Sequence, residues 1–309
     1  MMMLMMDKRT MVGVGLGLIA SMIWGSWPVV SKVAALQSLS PLDIATLRFS
    51  IAGFILLPVL LFHAIKLSVI FSKGAILAVG AGAPYVILAT SGINLSSSAH
   101  FGTIAPSTML VFSTLGSMFC FADKLTPSRW LGIVLIISGI VFIGKSSFEE
   151  LNADILLGDL MFVGCGVLWA SFTLLCKFWQ LNSWVATSMV SVVSAVVCLP
   201  ISLLFNPGAL TQLPVDMLVN HGLYQGVLVA IVALYCYAKS ISILGAAKGA
   251  IFAALVPPIA LVLGVIVLGE SLTSAEFIGS AGIFLGMLFS LGMIKYQGFG
   301  LVNLTRKSN

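Results

Sequence analysis

Few residues in this chain are equipped for chemistry, and the patterns that suggest catalysis fail on context. Gly139-Ile-Val-Phe-Ile-Gly144-Lys145-Ser146 fits GxxxxGK[ST], whose amides and lysine cradle phosphates when a flexible loop follows a strand. Here the variable positions are Ile, Val, Phe and Ile at the end of an apolar run, which speaks against nucleotide binding. Gly15-Leu-Gly17-Leu-Ile-Ala20 matches a loose dinucleotide fingerprint, again with no strand before it. HExxH, GxSxG and any pair of carboxylates in mid-run are absent, so nothing activates water or a nucleophile. The chain is read as no enzyme. The five cysteines show no CxxC and no paired spacing, and Asn94-Leu-Ser96 is a sequon by letter only. Neither disulfide, metal nor cofactor is expected.

What remains is chemistry of recognition. Residues 22–32 read MIWGSWPVVSK, an apolar stretch with groups that stack, bend or carry charge. Trp24, Tyr85, Trp169 and Tyr235 lie in the middle third of their apolar runs, away from an interfacial belt. Each is either core or lipid-facing packing, or a stacking wall for cargo; for Trp27, nearer a run's end, belt anchoring is the other reading. Arg48 lies about a turn and a half inside its run, where a charge costs roughly 2.5 to 3.5 kcal/mol. It must snorkel, pair or face water, and Asp43, at i−5, is off its face. Ser107 is favoured for its depth beside Pro106. His100 is either an interfacial histidine or a group that binds or senses protons. Pro28, Pro84, Pro106 and the pair Pro257-Pro258 each remove an amide donor and bend a helix, as static kink or hinge. Lys32 and Lys177 end apolar runs, so each snorkels to headgroups or serves a gate.

The elements that position these residues follow from composition. Of 309 residues 60% are hydrophobic and 8% charged, with mean hydropathy +1.14, against roughly 25% charged in soluble domains. A bilayer core of about 30 Å takes roughly 20 apolar residues of helix. Ten such runs occur, near Val12–Ser31, Asp43–Phe62, Gly74–Ile93, Ala99–Phe121, Trp130–Gly144, Ile155–Cys176, Trp184–Phe205, Val219–Ser240, Ala246–Gly269 and Ala275–Ile294. The N-terminal MMMLMMDKRT precedes a run of spanning length with no cleavage site, and reads as a retained first helix. Twelve loop lysines and arginines fall on one side and Lys32 and Lys145 on the other. This places both termini in the cytoplasm of a multi-pass protein of the cell's inner or plasma membrane. The pI near 9.0 needs no nucleic-acid partner, and the sequence leaves oligomeric state open, a monomer sufficing.

An offset of 145 lays Trp24-Gly-Ser-Trp27 through Lys32 on Trp169-Ala-Ser-Phe172 through Lys177. An offset of 147 lays Ala122-Asp-Lys-Leu125-Thr126 on Gly269-Glu270-Ser-Leu272-Thr273, Gly132 on Gly279 and Gly139 on Gly286. Two five-helix copies result, and because five is odd the second is inverted in the membrane. The fold expected is an all-α integral membrane protein of ten transmembrane helices in two inverted five-helix repeats. Its parts are an N-terminal tail at 1–10, repeats at 11–146 and 155–294, an outer linker at 147–154 and a C-terminal tail at 295–309. Gly282 and Gly286, in small-xxx-small company, read as close-packing residues.

The stretch WGSWPVVSKVAALQSLSPLDIATLRF, with the closing segments LGESLTSAEFIGSAGIFLGMLF and ADKLTPSRWLGIVLIISGIVFIG, resembles the drug/metabolite transporter superfamily, in the group built from EamA-type repeats. The resemblance covers about residues 13–294. It implies a ten-helix carrier that moves small metabolites, often exporting amino acids, from a cavity between the repeats. Asp123-Lys124 stands where that family carries Gly-Glu, so Glu270 reads as a structural helix-end residue. The expectation is a secondary transporter for a small metabolite, an amino acid or related compound, working by alternating access with export favoured. Two alternatives stay open: an uptake carrier for a cofactor or cationic metabolite, and a non-transporting receptor or assembly subunit. All ten acidic residues lie at run ends or in loops, which argues for uniport or exchange over ion-driven pumping, with His100 the remaining proton candidate.

Overall fold

Hydrocarbon offers no partner to a backbone amide, so a chain this apolar must satisfy its hydrogen bonds within helices. The structure, a computed structural model, describes residues 8–149, 152–205 and 212–294; among these there is no strand. In order come α1 (Lys8–Leu36), α2 (Pro41–Phe62), α3 (Leu67–Leu95), α4 (Ser98–Phe121), α5 (Pro127–Glu149), α6 (Ala153–Phe178), α7 (Ser183–Phe205), α8 (Val215–Leu244), α9 (Ala246–Ala254 continued by Val256–Leu268) and α10 (Ser274–Ser290). Nine are long and apolar enough to cross a bilayer and α10 is shorter. The chain is an all-α, multi-pass membrane protein. Phe54, Phe62 and Phe205 are at least 80% exposed, a surface that only lipid tolerates. The tail at 295–309, residues 1–7 of the other tail and part of the 147–154 linker lie outside the described residues.

Helix ends run past the hydropathy boundaries because caps, not polarity, stop them. Ser40 with Asp43, and Thr273 with Glu276, form capping boxes at the starts of α2 and α10. Ala122 and Gly269, the residues after α4 and α9, both adopt left-handed backbone at φ 55° and 68°. The two copies thus end their fourth helices by the same device, one with the residue suited to it and one without.

The helices pack as two halves related by exchange of each helix with the one five places on. The contacts α1·α9, α1·α8 and α2·α8 are matched by α6·α4, α6·α3 and α7·α3, while α2·α7, α4·α9 and α5·α10 map onto themselves. The glycines of α5 and α10 carry this symmetry to the atom. A Cβ on Gly286 would stand 2.8 Å from Gly132 O, and one on Gly279 would stand 2.9 Å from Gly139 O. These are one contact seen twice, since the 147-residue offset exchanges Gly132 with Gly279 and Gly139 with Gly286. Small residues let backbones meet this closely where burial against lipid offers no hydrophobic drive. Gly282, by contrast, has nothing within 4 Å of an added Cβ; the small-residue spacing holds for its neighbour Gly286 and fails for Gly282 itself.

Candidate functional site

Three helices lose their regular hydrogen bonding in mid-bundle. α3 breaks at Gly82 (φ −97°, ψ −143°) ahead of Pro84, whose missing donor and ring clash forbid an unbroken turn. The amide of Ala83, freed by the break, donates to Ser194 Oγ of α7 at 3.1 Å. α9 breaks at Leu255, with Pro257 and Pro258 opening the next segment. In α8 the stretch Leu223–Val232 is π-helical, a rare form that concentrates at functional sites. Pro28 and Pro106 lie inside continuous α1 and α4.

Between the halves, at the level of these irregularities, is a cavity of about 240 Å³. Trp24 of α1 and Trp169 of α6, the tryptophans matched by the repeat, both line it. Each is met edge-on by a tyrosine of the other half: Tyr85 on Trp169 at 4.8 Å between ring centres, and Tyr237 on Trp24 at 5.2 Å. Tyr85 from the broken α3, Val229 from the π-helix and Val256 from the break in α9 reach the same space. Trp27 and Phe101 roof it, 5.0 Å apart, and Phe101 rests on Phe162 at 5.3 Å. Trp27 is therefore a buried cavity residue and no belt anchor; its Nε1 donates to Gln225 Oε1 at 2.7 Å, and Gln225 Nε2 donates to Ser31 Oγ at 3.3 Å. Pro106 is also in the lining.

Among the described residues Arg48 is the only charged one that lines the cavity. It also lines an adjoining space of about 90 Å³ that shares Trp24, Trp169 and Val229. It is 7% exposed, its Nε has no hydrogen-bond partner, and its guanidinium carbon lies 5.6 Å from the ring centres of both Trp27 and Phe49. Asp43 does not pair with it: that carboxylate takes the backbone amide and hydroxyl of Ser40 at 2.9 and 2.6 Å. A guanidinium with five donors stays buried only where water or an anion can meet it.

Other expected site residues lie elsewhere. Ser107 is fully buried outside the lining, its hydroxyl donated to Thr103 O and Ile104 O at 2.6 and 3.0 Å. Tyr235 is half exposed against Trp184, and it is Tyr237 that enters the cavity. Depth along the run, the ground for expecting Tyr235, does not distinguish it from Tyr237 two residues on; the angle around the helix does, and the π-helical stretch upstream alters the residues per turn that set it. Pro84 points away, exposed, while its neighbour Tyr85 lines the wall. Lys32 does not snorkel outward: its Nζ donates to the carbonyls of Ile93 and Ser96 at 2.5 and 3.2 Å, closing the C-terminal end of α3. Lys177 bridges Asp123 at 2.7 Å and Ser117 Oγ at 2.8 Å at the opposite end of the bundle; the Lys177 and Ser117 hydrogen bonds hold the Asp123 carboxyl below the usual carboxylate range. Glu270 accepts the amides of Ser98 and Ala99 at 2.8 and 3.1 Å, a helix-end role at the start of α4.

His100 is buried at the start of α4 with Asp159 of α6 and Glu276 of α10 on its two ring nitrogens, each at 2.8 Å. Asp159 is 6% exposed, seven residues into α6. A place at a run end or in a loop does not keep every carboxylate from burial: helix α6 starts earlier than its hydropathy, carrying Asp159 inward, and α4 covers it. Among the described residues no group of three His, Cys, Asp or Glu could hold a metal ion.

Ten apolar helices in two related halves, broken in mid-bundle around a central aromatic cavity, define a membrane transporter of the inverted-repeat kind. A profile of the EamA-like transporter family matches residues 11–145 and again residues 156–292, so the chain belongs to that family and is a transporter, not an enzyme. Among curated sequences it is similar to the uncharacterized transporter YwfM of Bacillus subtilis (strain 168), 25% identical over 88% of this chain and 90% of that one. It is also similar to the uncharacterized transporter YetK of the same organism, 22% identical over 65% of this chain; that match spans 62% of YetK, under two thirds of its length. A solved structure described only as a crystal structure of protein shares the fold, with TM-score 0.60 at 18% identity over 94% of this chain and 99% of that one.

Proposed function

We propose that the chain is a secondary transporter for a small carboxylate-bearing metabolite, an amino acid or a related compound with an apolar or aromatic side group. The observation that carries this is Arg48, a buried guanidinium whose Nε has no hydrogen-bond partner and whose side chain lines an aromatic-walled cavity with no acidic residue among its described lining. A carboxylate supplies what the guanidinium lacks, by charge-assisted hydrogen bonds. The faces of Trp24, Trp169, Tyr85 and Tyr237 accept a flat apolar group, and their quadrupoles accept an ammonium. A cavity of about 240 Å³ suits a solute of amino-acid size rather than a large cofactor. A cationic metabolite would meet Arg48 with like charge, so this alternative is disfavoured. The two halves rock about the cavity, with the breaks in α3 and α9 and the π-stretch in α8 as the compliant points. Export is the direction favoured by the resemblance to amino-acid exporters.

The test is counterflow in liposomes holding purified protein, with a panel of amino acids, their amides and their deaminated acids. Acids are expected to exchange and amides not, and Arg48→Gln is expected to lower exchange by at least tenfold. A panel in which no solute moves, or in which amides move as well as acids, overturns the proposal. Sealing of the Trp24 position from thiol reagents on both faces would instead favour a non-transporting receptor.

A further inference from the structure

His100 is 5% exposed, at the end of the bundle opposite the residues that begin α1 and end α10. Its Nδ1 stands 2.8 Å from Asp159 Oδ1 and its Nε2 stands 2.8 Å from Glu276 Oε1. An ionised carboxylate only accepts hydrogen bonds, and a neutral imidazole offers one donor. Two such contacts therefore hold one proton more than neutral histidine with two carboxylates, whether it rides on the ring or on a carboxyl. The count fixes the net charge of the cluster at minus one.

The surroundings can stabilise that proton but not replace it. Ser96 Oγ donates to the same Asp159 Oδ1 at 2.9 Å, and Asp159 Oδ2 is buried without a partner. Glu276 Oε2 accepts the Thr273 amide at 2.6 Å. Of the other charged groups described at this end, Lys32 on α1 and Glu270 after α9 are committed to the carbonyls ending α3 and the amides opening α4, Asp43 is held by Ser40 at the start of α2, and Asp154 and Asp216 are exposed at the starts of α6 and α8. Among the described residues no other cation pairs with the two carboxylates. The cluster joins α4 of the first repeat to α6 and α10 of the second, directly above the Phe101 roof of the cavity. The repeat offsets put Val14 and Arg129 at the positions matching Asp159 and Glu276, so the repeat does not reproduce this cluster among the described residues of the opposite end.

We propose that His100, Asp159 and Glu276 form a proton-binding site that latches this end of the transporter shut. With the proton bound, both nitrogens bridge the repeats. Its loss leaves a ring lone pair facing a carboxylate oxygen at hydrogen-bond distance in a poorly solvated place, and the helices part. Closure takes up one proton from the medium at this end and opening returns it. The ratio of closed to open forms then changes tenfold per pH unit on the alkaline side of the site's titration. This rests on the alternating-access reading of the preceding section and adds a proton to it.

The experiment uses full-length protein in lipid nanodiscs, its five cysteines replaced, with spin labels at Asn94 and Ser274, which are exposed on the two repeats at this end. Pulsed distance measurements from pH 5 to 9 should show a short distance giving way to a longer one on alkalinisation. Glu276→Gln supplies an amide donor to the ring and keeps the capping box, so it should stay short throughout; His100→Gln, which cannot bridge both carboxylates, should stay long. Distances that respond to pH alike in wild type and Glu276→Gln, or a wild type that opens with added substrate but ignores pH, overturn the proton site alone. Distances fixed under every pH, variant and substrate overturn the site together with alternating access.

Discussion

Alanine at Gly286 is the sharpest test of the packing between repeats. Its Cβ would stand 2.8 Å from the carbonyl oxygen of Gly132 and 3.0 Å from the amide nitrogen of Ile136. Both are backbone atoms of α5, which no side-chain rotation can move aside. Ordinary contact needs about 3.4 Å or more, so α5 and α10 must part by roughly half an ångström along a seam of interlocking contacts. Overpacking of this kind costs about 1–3 kcal/mol, partly offset by the roughly 1 kcal/mol that alanine gains over glycine in a helix. Gly282→Ala, on the same helix with open space around its Cβ, keeps the propensity gain without the clash. Thermal unfolding in detergent should place Gly286→Ala about 2–12 °C below Gly282→Ala, at roughly 2–4 °C per kcal/mol for a large domain. Gly139→Ala, the repeat counterpart whose Cβ meets Gly279 O at 2.7 Å, should fall with Gly286→Ala. Equal melting of the Gly286 and Gly282 variants would refute the account of this seam.

Two further outcomes come from the breaks and caps. Ser194→Ala leaves the Ala83 amide at the break in α3 without its acceptor, a loss of about 1–3 kcal/mol that melting curves should register, whereas Ser171→Ala, whose hydroxyl only doubles a bond within its own exposed helix turn, should be near neutral. Ala122→Gly relieves a left-handed alanine and should raise the melting temperature by roughly 2–4 °C for about 1 kcal/mol recovered, while Gly269→Ala imposes that strain and should lower it by a similar amount.

The candidate site was legible in part, and the split reflects what sequence distance can express. Trp24 and Trp169 stood out because a repeat pairs them, and the cavity lies on the pseudo-symmetry axis that pairing implies. Arg48 stood out because a charge inside an apolar run demands an explanation. Lys32 was visible as a helix-end cation, but its partners are carbonyls 61 to 64 residues away. Ser107 was chosen for depth, a coordinate along the helix axis; its angle around the axis turns it into its own backbone. Tyr237 was missed for the same reason, compounded by π-helical turns that no hydropathy count registers.

The sequence by itself determined the ten spans and the two copies, because transfer into lipid is a sum over residues in one helix and a duplicated unit leaves its spacing in the chain. Of the glycines read as close-packing residues, Gly286 meets backbone and Gly282 does not. Tertiary structure decided which polar groups face one another. His100, Asp159 and Glu276 are separated by 59 and 176 residues and each alone reads as an ordinary helix-end residue. Only the packing of α4, α6 and α10 brings their atoms to hydrogen-bond distance and removes the water, because hydrogen bonding and charge depend on ångström separations that the order of residues along a chain does not specify.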